Sequence, residues 1–378
     1  MSTDPPRSAL LATYARFPVT FERGEGVHLW DDRGEQYLDF LSGISVSSVG
    51  HCHPAVVAAV QEQAARLIHV GNLFHTDAMV RLAERLSALS LGGGVFFTNS
   101  GAEAVEAALK LCRKARRGGD VVSVHGGFHG RTYGALSATP QESKQAPFAP
   151  LVPGFRAVEE AALPDAVDDR TACVLVEPVR GESGVHPVDP GVLRAVRAAC
   201  DRHGAALVFD EVQTGLGRTG RTWAYEHSGV VPDALTTAKA LGAGLPIGAL
   251  VTGERLRDVL EPGDHGSTFP GGPVVAAAAH AALDVLTDRV LQARVRELGE
   301  LLRGLLAELP QVREVRGLGL MVACDVEADA PAAVRRALLQ ERLVLNAPGP
   351  QTIRFLPPLV VGEADVREAV ARLARALG

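Results

Sequence analysis

The sequence predicts an α/β protein with a large domain around a mostly parallel sheet and a smaller α+β domain. Three observations carry that reading. Between about residues 51 and 272, short apolar runs alternate with amphipathic stretches of helical length, the rhythm of βαβ units. Residues 19–50 contain VHLWDDRGEQYLDF, a strand-like alternation interrupted by Asp32-Arg33-Gly34. From about residue 273 the chain is mostly helical, with short strands expected at 321–324 and 353–356. The expected division is therefore an N-terminal segment of the small domain (1–50), a large domain (51–272) and a C-terminal small-domain segment (273–378).

Taken in order, the interrupted alternation at the N-terminus predicts a hairpin or meander. In the large domain, strands are expected at 95–98, 121–124, 173–177, 206–210, 234–237 and 247–252. Helices are expected at 55–66, 78–89, 102–115 and 191–203. The last of these follows Asp189-Pro190, a capping residue and then a proline where the first helical turn needs no N–H.

Composition prunes the functions available. The 378 residues carry a net charge of −6 and 5% aromatics, which argues against nucleic acid or an anionic membrane as the main partner. Five scattered cysteines without a CxxC pair fit reduced thiols. The N-terminus lacks an apolar signal core, and no apolar run reaches spanning length, so a cytoplasmic protein is expected. Of the 38 basic residues only Lys110, Lys114, Lys144 and Lys239 are lysines. None is followed by Ser or Thr, which excludes a P-loop.

Two patterns are set aside. Gly215-Leu-Gly-Arg-Thr-Gly220 has dinucleotide-loop spacing, but Glu211–Thr214 separates it from the strand and no helix start follows. His51-Cys52-His53 and the pair His125 and His129 lack a matching second pair of zinc ligands. These histidines read as loop residues near a site, and no metal is expected. No Gly-x-Ser-x-Gly elbow is present.

Three segments carry chemistry. Thr98-Asn-Ser-Gly-Ala-Glu103 joins a strand to a helix start. Its free N–H groups suit a phosphate, although the same turn would serve as an ordinary cap. Asp210 ends an apolar strand, where a buried carboxylate needs a partner such as a protonated pyridine nitrogen or an arginine. Lys239 also ends an apolar strand and is followed by a Gly-rich loop, a setting that suits a desolvated Schiff-base amine. The other three lysines read as solvated. A phosphate turn, a strand-end Asp and a Schiff-base lysine together are the parts a pyridoxal-phosphate enzyme needs.

From about residue 14 onward the chain resembles the class III pyridoxal-phosphate aminotransferases. The motifs are GHCHP (50–54), NSGAEAVEAALK (99–110), GFHGRTYGALSAT (127–139), EPVRGESGV (177–185), FDEVQTGLGRTG (209–220), TTAKALGAGLPIGA (236–249), HGSTFPGGP (265–273) and TIRFLPPL (352–359). The resemblance implies the aspartate-aminotransferase-like fold and a homodimer with composite sites. It also implies ω-amine transfer to 2-oxoglutarate by a ping-pong route, nearest to the branch that uses N-acetylornithine.

By the same resemblance, Lys239 holds the cofactor and moves the proton. Gly101 and Ala102 take the phosphate, with Thr268 reaching it from the partner subunit. Phe128 and Val212 flank the ring, and Asp210 meets the pyridine nitrogen. Gln213 lies near the ring hydroxyl, and Glu211 belongs to the same cofactor-binding DEVQ segment. Arg131 takes the distal carboxylate, Arg354 takes the α-carboxylate of 2-oxoglutarate, and Glu182 pairs with Arg354 as a switch. Ser267 is a further donor contact, and Asn72 stands where ornithine aminotransferases carry a bulky aromatic. Val105, Ser47 and Pro270-Gly-Gly-Pro273 differ from the usual N-acetylornithine-branch residues. Ornithine, succinyl-diaminopimelate, a carrier-linked lysine, 4-aminobutyrate and a specialised-metabolite amine remain alternative donors.

Overall fold

The computed structural model describes residues 9–378; residues 1–8, the start of the expected segment 1–50, lie outside them. Among the described residues, the largest sheet has seven strands. Their order is Gly92–Thr98, Gly248–Gly253, Ala234–Thr237, Ala206–Asp210, Thr171–Val176, Asp120–Val124 and Phe155–Val158. Gly248–Gly253 runs antiparallel to both neighbours, and the remaining pairings are parallel.

Strand alternation divides the core into two layers. Val208 packs with Val105, Leu109 and Leu175 beneath helix Gly101–Ala115. Leu207 and Phe209 face the opposite way, onto Leu193 and Val196 of helix Pro190–His203. Both faces of the sheet are thus covered, as parallel strands require. The helix ends follow local rules. Asp189 Oδ1 accepts from the Gly191 and Val192 N–H groups at 2.6 and 3.1 Å. Gly204 closes the helix in the left-handed region at φ 67°, a conformation that glycine adopts without steric cost.

The N-terminal alternation forms strands Phe21–Glu25, His28–Asp31 and Gln36–Asp39. Asp31 Oδ1 holds the predicted interruption by accepting from the Arg33 and Glu35 N–H groups. Gln36–Asp39 pairs with Leu343–Val344, a C-terminal strand too short to stand out in sequence. The other C-terminal strands, Val312–Leu318, Met321–Val326 and Thr352–Phe355, form a separate antiparallel sheet. Helix Pro273–Leu286 packs on Pro54–Arg66 and Asp77–Ala88 rather than on that sheet. Among the described residues no helix is long and apolar enough to cross a membrane.

Candidate active site

Ligands in open α/β sheets gather outside the carboxyl ends of the strands. Here the parallel strands deliver five groups to that edge. The chain beyond Thr98 supplies Ser100–Ala102, and that beyond Val124 supplies Phe128–Arg131. Glu177 follows Val176, Asp210 closes its own strand, and Lys239 stands two residues beyond Thr237. All five groups line one cavity of about 460 Å³.

Lys239 opens a short 3-10 turn with φ 46°, a left-handed conformation costing a non-glycine residue about 1–2 kcal/mol. Burial lowers its pKa, and the Arg354 charge lowers it further, against the opposing Glu182, Asp210 and Glu177 charges. The result is an amine more readily deprotonated than an ordinary lysine.

Asp210 is 4% exposed and fully bonded at its inner edge. Its Oδ2 meets His129 Nδ1 at 2.8 Å, and its Oδ1 accepts from Thr236 Oγ1 at 3.0 Å and Val212 N at 3.1 Å. Beside it, Glu177 Oε2 accepts from Phe128 N and Oε1 from Gly181 N. Burial pushes the Glu177 carboxyl up to about 7, with nearby Asp210 adding and His129 opposing.

The turn at residues 99–103 is a built cap. Ser100 Oγ accepts from Glu103 N, and the Glu103 carboxylate returns to Asn99 N at 2.6 Å. The Gly101 and Ala102 N–H groups stand in the first turn, where no intrahelical acceptor exists. A Cβ at Gly101 would lie 2.7 Å from Val212 Cγ1, so glycine is what lets Val212 close on this turn.

Arg354 is fully buried and meets Glu182 Oε1 at 2.7 Å through Nη1. Nη1 also donates to Gly181 O, and Nε donates to Asn346 Oδ1. Among the described residues its Nη2 has no hydrogen-bond partner. Gln213 bridges the pair to the cavity, donating to Glu182 and accepting from Arg354. Burial works against the Glu182 charge, but Arg354 and Lys239 outweigh it and lower its pKa.

Gly101, Ala102, Phe128, Arg131, Asp210, Val212, Gln213 and Lys239 thus line one cavity. Glu211 does not. Its carboxylate turns away to accept from Ala224 N and Tyr225 N at 3.0 and 2.8 Å, and from the Thr214 hydroxyl. As the neighbour of a cavity-facing residue it points to the other side and anchors the following loop. Ser267 and Thr268 are exposed and do not line the cavity of their own chain. Ser267 instead accepts from Asn99 Nδ2 at 3.3 Å and, through its carbonyl, from Asn72 Nδ2 at 3.1 Å.

Sequence reasoning gives no role to Glu177 or Lys144, and it places His129 only as a loop residue near a site, where the structure has it lining the cavity. Glu177 carried the same signal as Asp210, a carboxylate closing an apolar run. Lys144 was read as solvated; it is half-buried, with Nζ 6.0 Å from the Phe128 ring centroid. The left-handed run Ser42–Ser45, with φ from 47 to 66°, was also unforeseen. It precedes Val46, which lines the cavity. Val105, the expected departure, is on the core-facing side of helix Gly101–Ala115 and does not line the cavity.

The donor set fits pyridoxal phosphate. A buried amine, a strand-end carboxylate, a helix N-terminus and an apolar slot between Phe128 and Val212 meet in a cavity of suitable size. Residues 11–377 match the family described as aminotransferase class-III. Acetylornithine aminotransferase of Caldanaerobacter subterraneus subsp. tengcongensis is 44% identical, over 96% of this chain and 95% of that one. The ornithine aminotransferase of Toxoplasma gondii, whose structure has partial PLP occupancy at its active site, superposes with TM-score 0.93. It is 36% identical, over 98% of this chain and 92% of that one. Acetylornithine aminotransferase from Elizabethkingia anophelis superposes with TM-score 0.86 at 35% identity, over 97% and 95%.

Proposed function

The chain belongs to the class-III aminotransferases, and from that membership we propose that it transfers the terminal amine of N-acetylornithine to 2-oxoglutarate in the cytoplasm. The products are N-acetylglutamate 5-semialdehyde and glutamate. The observation that carries the dual-substrate reading is the Glu182–Arg354 pair, 2.7 Å apart behind Gln213. A buried arginine neutralised by a movable glutamate suits a pocket that admits an ω-amine in one half-reaction and an α-carboxylate in the other.

The cofactor is pyridoxal 5'-phosphate; when bound it supplies an aldehyde that takes up the amine and a ring that accepts electrons from the reacting carbon. Lys239 Nζ would hold it covalently and, once freed by the donor, would move the proton at the donor's reacting carbon. Its lowered pKa suits that exchange. Asp210, fixed by His129 and Thr236, would keep the pyridine nitrogen protonated. The Gly101 and Ala102 N–H groups would take the phosphate, Phe128 and Val212 would flank the ring, and Gln213 would stand by the ring hydroxyl. Arg131 receives the donor's distal carboxylate with its planar fork.

Thr268 serves the phosphate of a second copy, and Ser267 contacts that copy's donor. Their exposure supports a homodimer with composite sites, as does the apolar surface around them, with Leu73 93%, Ile68 67% and Phe269 67% exposed. A donor screen with N-acetylornithine, ornithine, succinyl-diaminopimelate and 4-aminobutyrate tests the assignment. N-acetylornithine should give the highest kcat/KM; a clear preference for another donor would displace it.

A further inference from the structure

Arg131 and Lys144 converge on one aromatic ring. Arg131 Cζ lies 5.5 Å and Lys144 Nζ 6.0 Å from the Phe128 ring centroid. Among the described residues neither cation has a carboxylate partner. Lys144 is held in place by Gln141, whose Oε1 accepts from Nζ. Gln141 Nε2 in turn donates to Gly126 O and Gly127 O at 3.3 and 3.0 Å. This ties Lys144 to the loop that carries Phe128 and Arg131.

Two like charges brought together with no anion between them repel. Burial, and then the Arg131 charge, lowers the Lys144 pKa, with Glu182 opposing. Such a pair is relieved by an incoming carboxylate. It is aggravated by an ammonium placed beside that carboxylate, as in an unacylated α-amino acid. Acylation turns that ammonium into a neutral amide.

We propose that Lys144 is a specificity-determining residue which, with Arg131, holds the donor's distal carboxylate and selects against donors with a free α-ammonium beside it. This rests on the ω-aminotransferase reading above. Arg131 supplies the planar fork, and Lys144 supplies a point charge that adjusts to the carboxylate.

The test compares holoenzymes of wild type, Lys144→Gln and Lys144→Arg with N-acetylornithine and with ornithine. Lys144→Gln should raise KM for N-acetylornithine about fivefold, the scale of a partly screened ion pair, with a smaller change in kcat. Ornithine loses the attraction but also escapes the repulsion, so the N-acetylornithine to ornithine ratio of kcat/KM should fall. Lys144→Arg, which keeps the charge, should hold that ratio near wild type. A parallel loss for both donors, or a ratio that falls equally in both variants, would overturn the inference. Equilibrium binding of glutarate, a dicarboxylate without an amine, separates this claim from the donor assignment. Its affinity should fall about fivefold in Lys144→Gln, whichever donor the wild type prefers, and unchanged affinity would also overturn the inference.

Discussion

At the residue scale, the site is a set of charges whose neighbours decide their work. Glu182 is held ionised by Arg354. Replacing it with Ala leaves that arginine free in both half-reactions, so selectivity for ω-amines over glutamate as donor should weaken by about tenfold or more, given the 1.4 kcal/mol per decade that buried pairs readily exceed. Competition kinetics read this directly, and unchanged selectivity would remove the switch. Glu211 shows the opposite case, a carboxyl that burial pushes up to about 7 from an ordinary 4.5. Between those values the folded protein keeps a proton that the unfolded chain has lost, so rising pH costs stability by up to ~3 kcal/mol. Glu211→Gln should flatten the fall in Tm between pH 5 and 7; an identical pH profile would contradict it. Residue identity made Lys239 and Asp210 legible, because each ends an apolar run. The direction of Glu211 was not legible, since adjacency in a motif does not say which way a side chain points.

At the element scale, the interior strands were legible because buried parallel strands read as continuous apolar runs. Ala206–Asp210 and Ala234–Thr237 match the expected limits. Phe155–Val158 was not foreseen: it is an edge strand, partly exposed, paired only with Asp120–Val124. Leu343–Val344 is two residues long and exists through pairing with Gln36–Asp39, a contact no local pattern encodes. Helix caps were readable because their chemistry is local. Asp189→Ala should cost about 1 kcal/mol by removing the Oδ1 acceptor for two N–H groups. Chemical denaturation measures it, and a neutral result would mean that Pro190 alone sets the helix start.

At the scale of the whole molecule, one sheet edge gathers residues separated by more than a hundred positions, and in the proposed homodimer a second copy completes them. The separation hid the setting of Lys144, which depends on what the fold places beside it. A composite site has a specific signature. A chain bearing Lys239→Ala still offers Thr268, and a chain bearing Thr268→Ala still offers Lys239. Mixing the two variants after dissociation should therefore restore one intact site per hybrid dimer, with activity above either parent. Activity equal to the average of the parents would place Thr268 outside the partner's site.

In the proposed function, Lys239 and its sheet-edge partners run an ω-amine transfer in two separable halves. The most direct measurement is the visible absorbance of the purified holoenzyme when N-acetylornithine is added alone, followed by 2-oxoglutarate. The yellow aldehyde-form band should be lost with the donor and return with the acceptor, while Lys239→Ala should fail to cycle. A band that N-acetylornithine leaves unchanged, or a Lys239→Ala protein that cycles like wild type, would contradict it.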